Sequence, residues 1–323
     1  MAKSGGSSWG RGPGLLLLVL LVLLAGIVTG AFALVYGVAH PPRDRSTLEP
    51  SDLLLQTEDA VFQASDGTPL SGWFVKGGPG WPVILLCHDL GGARSSLLNS
   101  AAALNRAGYP LLLFDFRGHG LSGGNGSSLG ISERLDLLAG VEYLRTRHDI
   151  DASRFGAWGI GMGAYAATLA AAEEKAIVAL VLDSLYPDVG SEIDRRLKET
   201  IPPALHAALP IIRLVYDPYF SFKTAKLSPA RLMPELAGRN VLFIASTEPP
   251  DRYNEARSLY ATLPEASGGD KNFLELKASV VTGLYAEDKK KYDQAIVQFF
   301  STYLPRGSRP GSASQKKIQV LER

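Results

Sequence analysis

The sequence predicts an α/β fold, a mostly parallel β-sheet with helices on both faces, preceded by one transmembrane helix. Two observations carry this prediction. Beyond residue 56, short apolar runs alternate with segments of helical periodicity, a pattern typical of strands that are buried on both faces of a sheet. Before residue 40, a long apolar segment carries no charged side chain.

The apolar N-terminal segment is long enough to cross a bilayer. Leu15 to Ala39 spans 25 uncharged residues between Arg11 and Arg43. As a helix it would be roughly 37 Å long, against a hydrocarbon core of about 30 Å. Residues 37–39 resemble a signal-peptide cleavage site, but a signal core is only about 7 to 15 residues long. We therefore expect an uncleaved single-pass anchor. Flanking charges are balanced, and the free amino terminus favours a soluble part outside the cytoplasm.

Changes in composition divide the chain into segments. We predict an N-terminal flank at 1–14, the transmembrane anchor at 15–39, a linker at 40–56, an α/β domain at 57–304 with a cap inserted at 186–239, and a flexible tail at 305–323. Predicted strands are 61–64, 70–75, 83–87, 111–114, 155–160, 177–182, 241–245 and 273–277. Predicted helices are 95–107, 132–147, 162–172, 254–263 and 289–303. The first two strands flank Asp66-Gly67, a hairpin signal.

Charge and residue counts exclude several classes of protein. Lys and Arg total 33 and Asp and Glu total 32, so the net charge of +1 argues against a nucleic-acid-binding protein. A single cysteine, Cys87, excludes a disulfide framework within the chain and a cysteine-based zinc cluster. Of five histidines, none follows His206.

Three motifs, each placed after a predicted strand, carry a family resemblance. They are Cys87-His88-Asp89-Leu90-Gly91-Gly92, Asp115-Phe116-Arg117-Gly118-His119-Gly120-Leu121-Ser122, and Trp158-Gly159-Ile160-Gly161-Met162-Gly163. In this order and spacing the chain, from about residue 57 to 304, resembles the α/β-hydrolase fold and within it the prolyl-oligopeptidase and serine-aminopeptidase-like branch. The Arg-Gly-His-Gly-x-Ser segment is the most specific of the three.

The resemblance implies a Ser, acid and His triad that this chain does not carry. The nucleophilic serine of the Gly-x-Ser-x-Gly turn is replaced by Gly161, which has no side chain to attack a substrate. The family's acid position falls at Pro249, with Glu248 and Asp251 as displaced carboxylates or solvated loop residues. The family's histidine position falls at Val280 or at Leu284, and neither side chain accepts a proton.

The resemblance also implies an oxyanion hole. Its donors would be the backbone N–H groups of Leu90 and Met162, which survive side-chain substitution. Asp89 stands where this branch commonly has glycine. A carboxylate at that position would repel a developing oxyanion if it pointed inwards.

Other groupings of reactive residues point to other chemistry. Cys87 and His88 are adjacent on a strand and would face opposite sides, which favours a buried structural cysteine. His88 and His119, with Asp89 or Asp115, would make a metal site, but the resemblance gives both histidines structural roles. Ser122 and Ser184 are interpreted as structural hydroxyls.

One further pattern matches a functional motif, and another predicts exposed surface. Gly159-Ile160-Gly161-Met162-Gly163-Ala164, with Asp183 downstream, matches a dinucleotide-binding fingerprint, although it follows the third α/β strand rather than the first. The charge run 192–199 in the cap predicts a solvated helix face.

The sequence therefore favours a membrane-anchored, non-catalytic α/β-hydrolase-fold protein that binds an unknown small molecule or protein partner, with no cofactor, metal or nucleic acid. The alternative is a serine-type hydrolase of esterase, lipase or peptidase kind with a relocated catalytic set. That alternative requires a Ser, Thr or Cys side chain within hydrogen-bonding reach of a histidine in the cleft. Dinucleotide binding is a minor alternative.

Overall fold

One β-sheet organises the molecule, seen in a computed structural model that describes residues 11–44, 48–214, 226–248, 250–265, 268–278 and 286–307. Its strands are β1 (Thr57–Gln63), β2 (Pro69–Val75), β3 (Pro82–Cys87), β4 (Leu111–Phe114), β5 (Asp151–Ile160), β6 (Ile177–Asp183), β7 (Asn240–Ser246) and β8 (Lys271–Leu276). They form an eight-stranded sheet in the order β1-β2-β4-β3-β5-β6-β7-β8. The β1–β2 and β2–β4 pairs are antiparallel and the other pairs are parallel. The predicted fold class is confirmed.

Helices connect and cover the strands. Those in the described part of the chain are α1 (Arg11–Ala39), α2 (Leu98–Arg106), α3 (Glu133–Arg145), α4 (Met162–Glu173), α5 (Val189–Thr200), α6 (Pro203–Leu214), α7 (Pro229–Leu232), α8 (Pro250–Thr262) and α9 (Ala286–Tyr303). The region predicted as a cap holds α5, α6 and α7, between β6 and β7.

The parallel strands are buried on both faces, as their apolar runs predict. Val83, Leu85 and Cys87 of β3 belong to one core cluster, which also holds buried residues of α3 and α4. Ile84 and Leu86 point to the other face and pack in a second cluster with α2 and α9. Burial of alternate side chains on opposite faces explains why these strands read as continuous apolar runs.

Several predicted boundaries differ from the observed ones for a physical reason. β5 begins at Asp151 rather than at residue 155, and its first residues are polar because they lie at the rim of the sheet, where Arg154 pairs with Asp151. α8 begins at Pro250 rather than at residue 254, with proline in the first turn, where its missing N–H costs nothing. The hairpin turn and β4 lie where the sequence predicts them, whereas β1 begins at Thr57 rather than at residue 61.

The N-terminal helix α1 is long and apolar enough from Gly14 to Ala39 to cross a membrane, a property that a signal sequence shares. Residues 14–30 are exposed on every side. Ala31, Val35 and Ala39, spaced one turn apart, are buried against the domain, where α1 contacts α5. The last two turns of α1 are therefore docked on the domain.

The chain beyond α1 extends this docking. The Ser127 N–H donates to the carbonyl oxygen of Ala39 at 2.7 Å. The Arg43 guanidinium, in the region predicted as a linker, donates to the carbonyl oxygens of Gly120 (2.9 Å), Ser122 (2.6 Å) and Gly124 (2.8 Å). One fork of donors thus holds the loop that carries the Arg-Gly-His-Gly-x-Ser motif.

Candidate functional site

The turn between β5 and α4 has the geometry of a nucleophile elbow. Gly161 lies at φ 52° and ψ −111°, and its N–H donates to the carbonyl oxygen of Asp183 at 2.9 Å. Glycine adopts this backbone conformation without steric cost, whereas a residue with a Cβ would be strained. The turn predicted at Gly161 is present, and residue 161 itself contributes no side chain.

The carboxylate of Asp89 fills the space that an elbow side chain would occupy. A Cβ atom built on Gly161 would overlap Oδ1 of Asp89 and lie 2.5 Å from its Cγ. The same Oδ1 accepts a hydrogen bond of 2.8 Å from the N–H of Met162, the first residue of α4. Asp89 therefore points inwards and occupies one of the two predicted oxyanion donors. Leu90, which the sequence analysis assigns as the other donor, follows it with a buried side chain.

One arginine of the cap reaches this carboxylate, and it belongs to a cluster of arginines from α5 and α8 around Glu192. Arg196 Nη2 lies 3.4 Å from Oδ2 of Asp89, and Arg196 Nε donates to Glu192 Oε1 at 2.5 Å. Arg195 also pairs with Glu192, and Arg252 Nη2 lies 3.7 Å from it. Burial alone would raise the pKa of Glu192, but hydrogen bonds and charges from these arginines lower it. Arg196 thus links the cap to the elbow through Asp89.

This cluster shows that the prediction of a solvated helix face in the cap is wrong in part. The charge run 192–199 is not a solvated face throughout, because Glu192 and Asp194 are buried. Arginine partners from α5, α6 and α8 make that burial tolerable. Arg252 has no sequence signal that marks it, since its partner lies 60 residues away along the chain.

The two histidines near the elbow bond to backbone groups through both ring nitrogens. His88 Nε2 accepts from the Phe116 N–H at 3.0 Å, and its Nδ1 lies 2.8 Å from the carbonyl oxygen of Asp89. His119 Nε2 accepts from the Gly91 N–H at 3.1 Å, and its Nδ1 lies 2.8 Å from the carbonyl oxygen of Arg117.

This bonding requires neutral imidazoles with Nδ1 as donor. Burial lowers the pKa of His88 to about 4 and also lowers that of His119. Neither ring has a free lone pair for a metal or for a proton. In the part of the chain that the structure describes, no histidine nitrogen is hydrogen-bonded to a Ser, Thr or Cys side chain.

The other candidate nucleophiles are buried in structural roles. Burial raises the pKa of the Cys87 thiol, which keeps it protonated. The Ser122 hydroxyl donates to the carbonyl oxygen of Asp115 at 2.6 Å, and the Ser184 hydroxyl donates to Asp183 at 2.8 Å.

The features of the dinucleotide fingerprint serve other purposes. At the N-terminus of α4, where a pyrophosphate would bind, the anion is the chain's own Asp89 carboxylate. Asp183, in the place of the ribose-binding acid, is buried and accepts a hydrogen bond of 2.8 Å from the Tyr292 hydroxyl. Burial raises its pKa to about 6. These contacts leave Asp183 no face for a ribose.

The predicted acid and histidine positions, Pro249, Val280 and Leu284, lie outside the described residues. The displaced carboxylates beside Pro249 are both described. Glu248 and Asp251 are exposed, and the backbone oxygen of Glu248 accepts a hydrogen bond of 2.5 Å from the Ser246 hydroxyl.

Comparison with known proteins agrees with this architecture. The profile of a family described as serine aminopeptidase, S33, matches residues 79–232. The fold is similar to that of a Pyrococcus furiosus esterase, with a TM-score of 0.65 and 22% identity over 83% of this chain and 98% of the esterase. The chain has the α/β-hydrolase fold.

Further proteins are similar in fold or in sequence. A Pyrococcus horikoshii acylaminoacyl peptidase matches 79% of this chain and 42% of its own, at 18% identity and a TM-score of 0.59. Likeness at this level of identity shows the fold alone. An uncharacterised Mycobacterium tuberculosis protein is 28% identical over 64% of this chain and 69% of its own length. A second is 32% identical over 54% of this chain, which spans 58% of that protein.

Proposed function

We propose that this protein of α/β-hydrolase fold is membrane-anchored and binds a ligand or a protein partner without hydrolysing it. The observation that carries the proposal is the position of Asp89. Its carboxylate takes the volume of the missing nucleophile and the N–H of Met162 at the same time.

The chemistry of ester or peptide hydrolysis supports the proposal. Acyl transfer needs a nucleophile, a base to deprotonate it and vacant donors for the oxyanion. Gly161 supplies no nucleophile, and the Nε2 atoms of His88 and His119 accept hydrogen bonds from backbone N–H groups. A fixed carboxylate at Met162 would repel the negative charge that develops on a substrate carbonyl oxygen.

The membrane anchor is a proposal that rests on α1. Its exposed residues 14–30 are apolar, and its last turns are held on the domain rather than ending before it. Carbonate washing of the membrane fraction tests it. The full chain should stay in the pellet, and recovery of a soluble form starting near His40 would show a cleaved signal instead.

A serine-type hydrolase with a relocated catalytic set is the second candidate. It is favoured by the sequence match to the S33 family and by the likeness to an esterase fold. It requires a hydroxyl or thiol activated by a base other than the backbone-bonded His88 and His119.

A fluorophosphonate probe distinguishes the two candidates. The full-length protein in detergent should remain unlabelled and should not turn over short aryl esters above a heat-unfolded control. Stoichiometric labelling would overturn the non-catalytic proposal. The variants Ser122→Ala and Ser184→Ala would then show whether either of these serines carries the label.

A further inference from the structure

Helix α6 of the cap presents an apolar face to solvent. Leu205, Ile211 and Leu214 are 54%, 51% and 75% exposed, while Leu209 and Ile212 on the opposite side are buried in the core. Exposed apolar patches of this kind on a folded domain mark an interaction surface.

The docking of α1 fixes where this face lies relative to a membrane. Residues 14–30 of α1 are exposed and span about 25 Å, so crossing a hydrocarbon core of about 30 Å takes roughly three residues more. The stripe that packs on the domain already begins at Ala31. The elements beside that stripe are therefore held at the level of the membrane interface.

Helix α5 contacts α1, and α6 follows α5 after only Ile201 and Pro202. Hydrogen bonds of Arg43 and Ser127 hold the chain immediately beyond α1 and reinforce the docking. If α1 spans the bilayer as proposed, these contacts keep the domain at the membrane surface, with α5 of the cap beside the anchor.

We infer that the exposed apolar face of α6 (Leu205, Ile211 and Leu214) docks on the surface of the lipid bilayer, beside the anchor. This inference rests on the proposed anchoring by α1. An interfacial helix of this kind buries its apolar side chains about 5 to 10 Å deep at the headgroup boundary. If a second copy of the chain or another segment of the same chain covered this face instead, the face would contact protein rather than lipid.

Single-cysteine labelling tests the inference on the full chain. Cys87 is buried and unreactive, so a cysteine introduced at Leu205, Ile211 or Leu214 is the site that an environment-sensitive maleimide dye labels. The labelled protein is reconstituted into phosphatidylcholine and phosphatidylglycerol vesicles that contain nitroxide-labelled lipid.

Two further positions serve as references. Lys175 is exposed just before the amino-terminal end of β6, and Val22 lies in the exposed part of α1, so cysteines at these two positions are the references. We expect nitroxide lipid to reduce the fluorescence at the α6 positions, more strongly at Val22 and not at Lys175, because an interfacial helix lies less deep than a membrane-spanning one.

Each contrary result identifies what is wrong. Quenching at Val22 with α6 as unaffected as Lys175 would refute docking and leave the anchor intact. A blue-shifted α6 dye that lipid does not quench would overturn the inference in favour of contact with protein. An unquenched label at Val22 would refute the anchor, and docking with it.

Discussion

Replacing Gly161 by alanine tests whether Asp89 is built into the elbow. The new Cβ would overlap Oδ1 of Asp89, so the carboxylate must leave the N–H of Met162. Alanine would also be held at φ 52° and ψ −111°, a conformation that side chains disfavour. The substitution therefore combines two separate penalties, backbone strain and loss of a charge-assisted hydrogen bond.

The two penalties have known sizes. Strain at such a backbone conformation costs about 1 to 3 kcal/mol. A hydrogen bond to a charged group contributes about 1.5 to 3 kcal/mol. For a domain of this size, each kcal/mol lowers the melting temperature by about 2 to 4 °C. We expect Gly161→Ala to lower the melting temperature of the full chain by about 10 °C, measured by tryptophan fluorescence in detergent.

A double-mutant cycle separates the two penalties. Asp89→Ala removes the carboxylate, so in that background Gly161→Ala should cost only the backbone strain. The two changes should couple by about 2 kcal/mol. An equal cost of Gly161→Ala in both backgrounds would refute the assigned contact between Asp89 and the elbow.

The same cycle with serine addresses catalysis. Gly161→Ser should be destabilised like the alanine variant and remain inert towards aryl esters, since a lone hydroxyl without a base gains little. Ester hydrolysis by Gly161→Ser, clearly above the parent, would reveal a base in the cleft and contradict the non-catalytic proposal.

Three further outcomes are expected. Burial raises the pKa of Asp183 to about 6, so the folded state holds a proton that the unfolded chain loses near pH 4. The stabilisation of the folded state by this proton is full below that pH and is lost as the pH rises through 6. Asp183→Asn should therefore melt at a less pH-dependent temperature than the parent between pH 4 and 7, and parallel melting curves would contradict this. Arg43→Ala should lower the melting temperature by several degrees and Arg43→Lys should restore little, because one ammonium cannot replace a fork that reaches three carbonyls; Arg106→Ala, an exposed control, should change nothing. Cys87 should react with a thiol reagent only after unfolding, and rapid reaction in the native protein would show that it is accessible.

The sheet was predictable because its strands are buried on both faces. Each parallel strand then reads as a short apolar run, and the intervening helices are set by 3.6-residue periodicity. The rim of the sheet carries no such signal. The polar start of β5 at Asp151 follows from an ion pair with Arg154, which no apolar pattern marks.

The candidate site was predictable only in part. The elbow at Gly161 is a local turn, so its glycines and the flanking strand and helix predict it. The burial of Glu192 depends on arginines from other elements, and a helical charge run does not tell which side faces them. The docking by Arg43 is likewise a contact across about 80 residues of chain.

The structure accounts for Asp89 and Gly161 together, because the Asp89 side chain lies against Gly161. In the sequence alone, each residue is a departure from the family pattern: a carboxylate where glycine is common, and a glycine where serine is expected. In the fold, the volume that Gly161 leaves open is the volume that the Asp89 carboxylate takes. Either residue constrains the other, because a side chain at 161 would displace Asp89 from Met162. The elbow of this chain therefore holds the chain's own carboxylate, which contacts the N-terminus of α4 and Arg196.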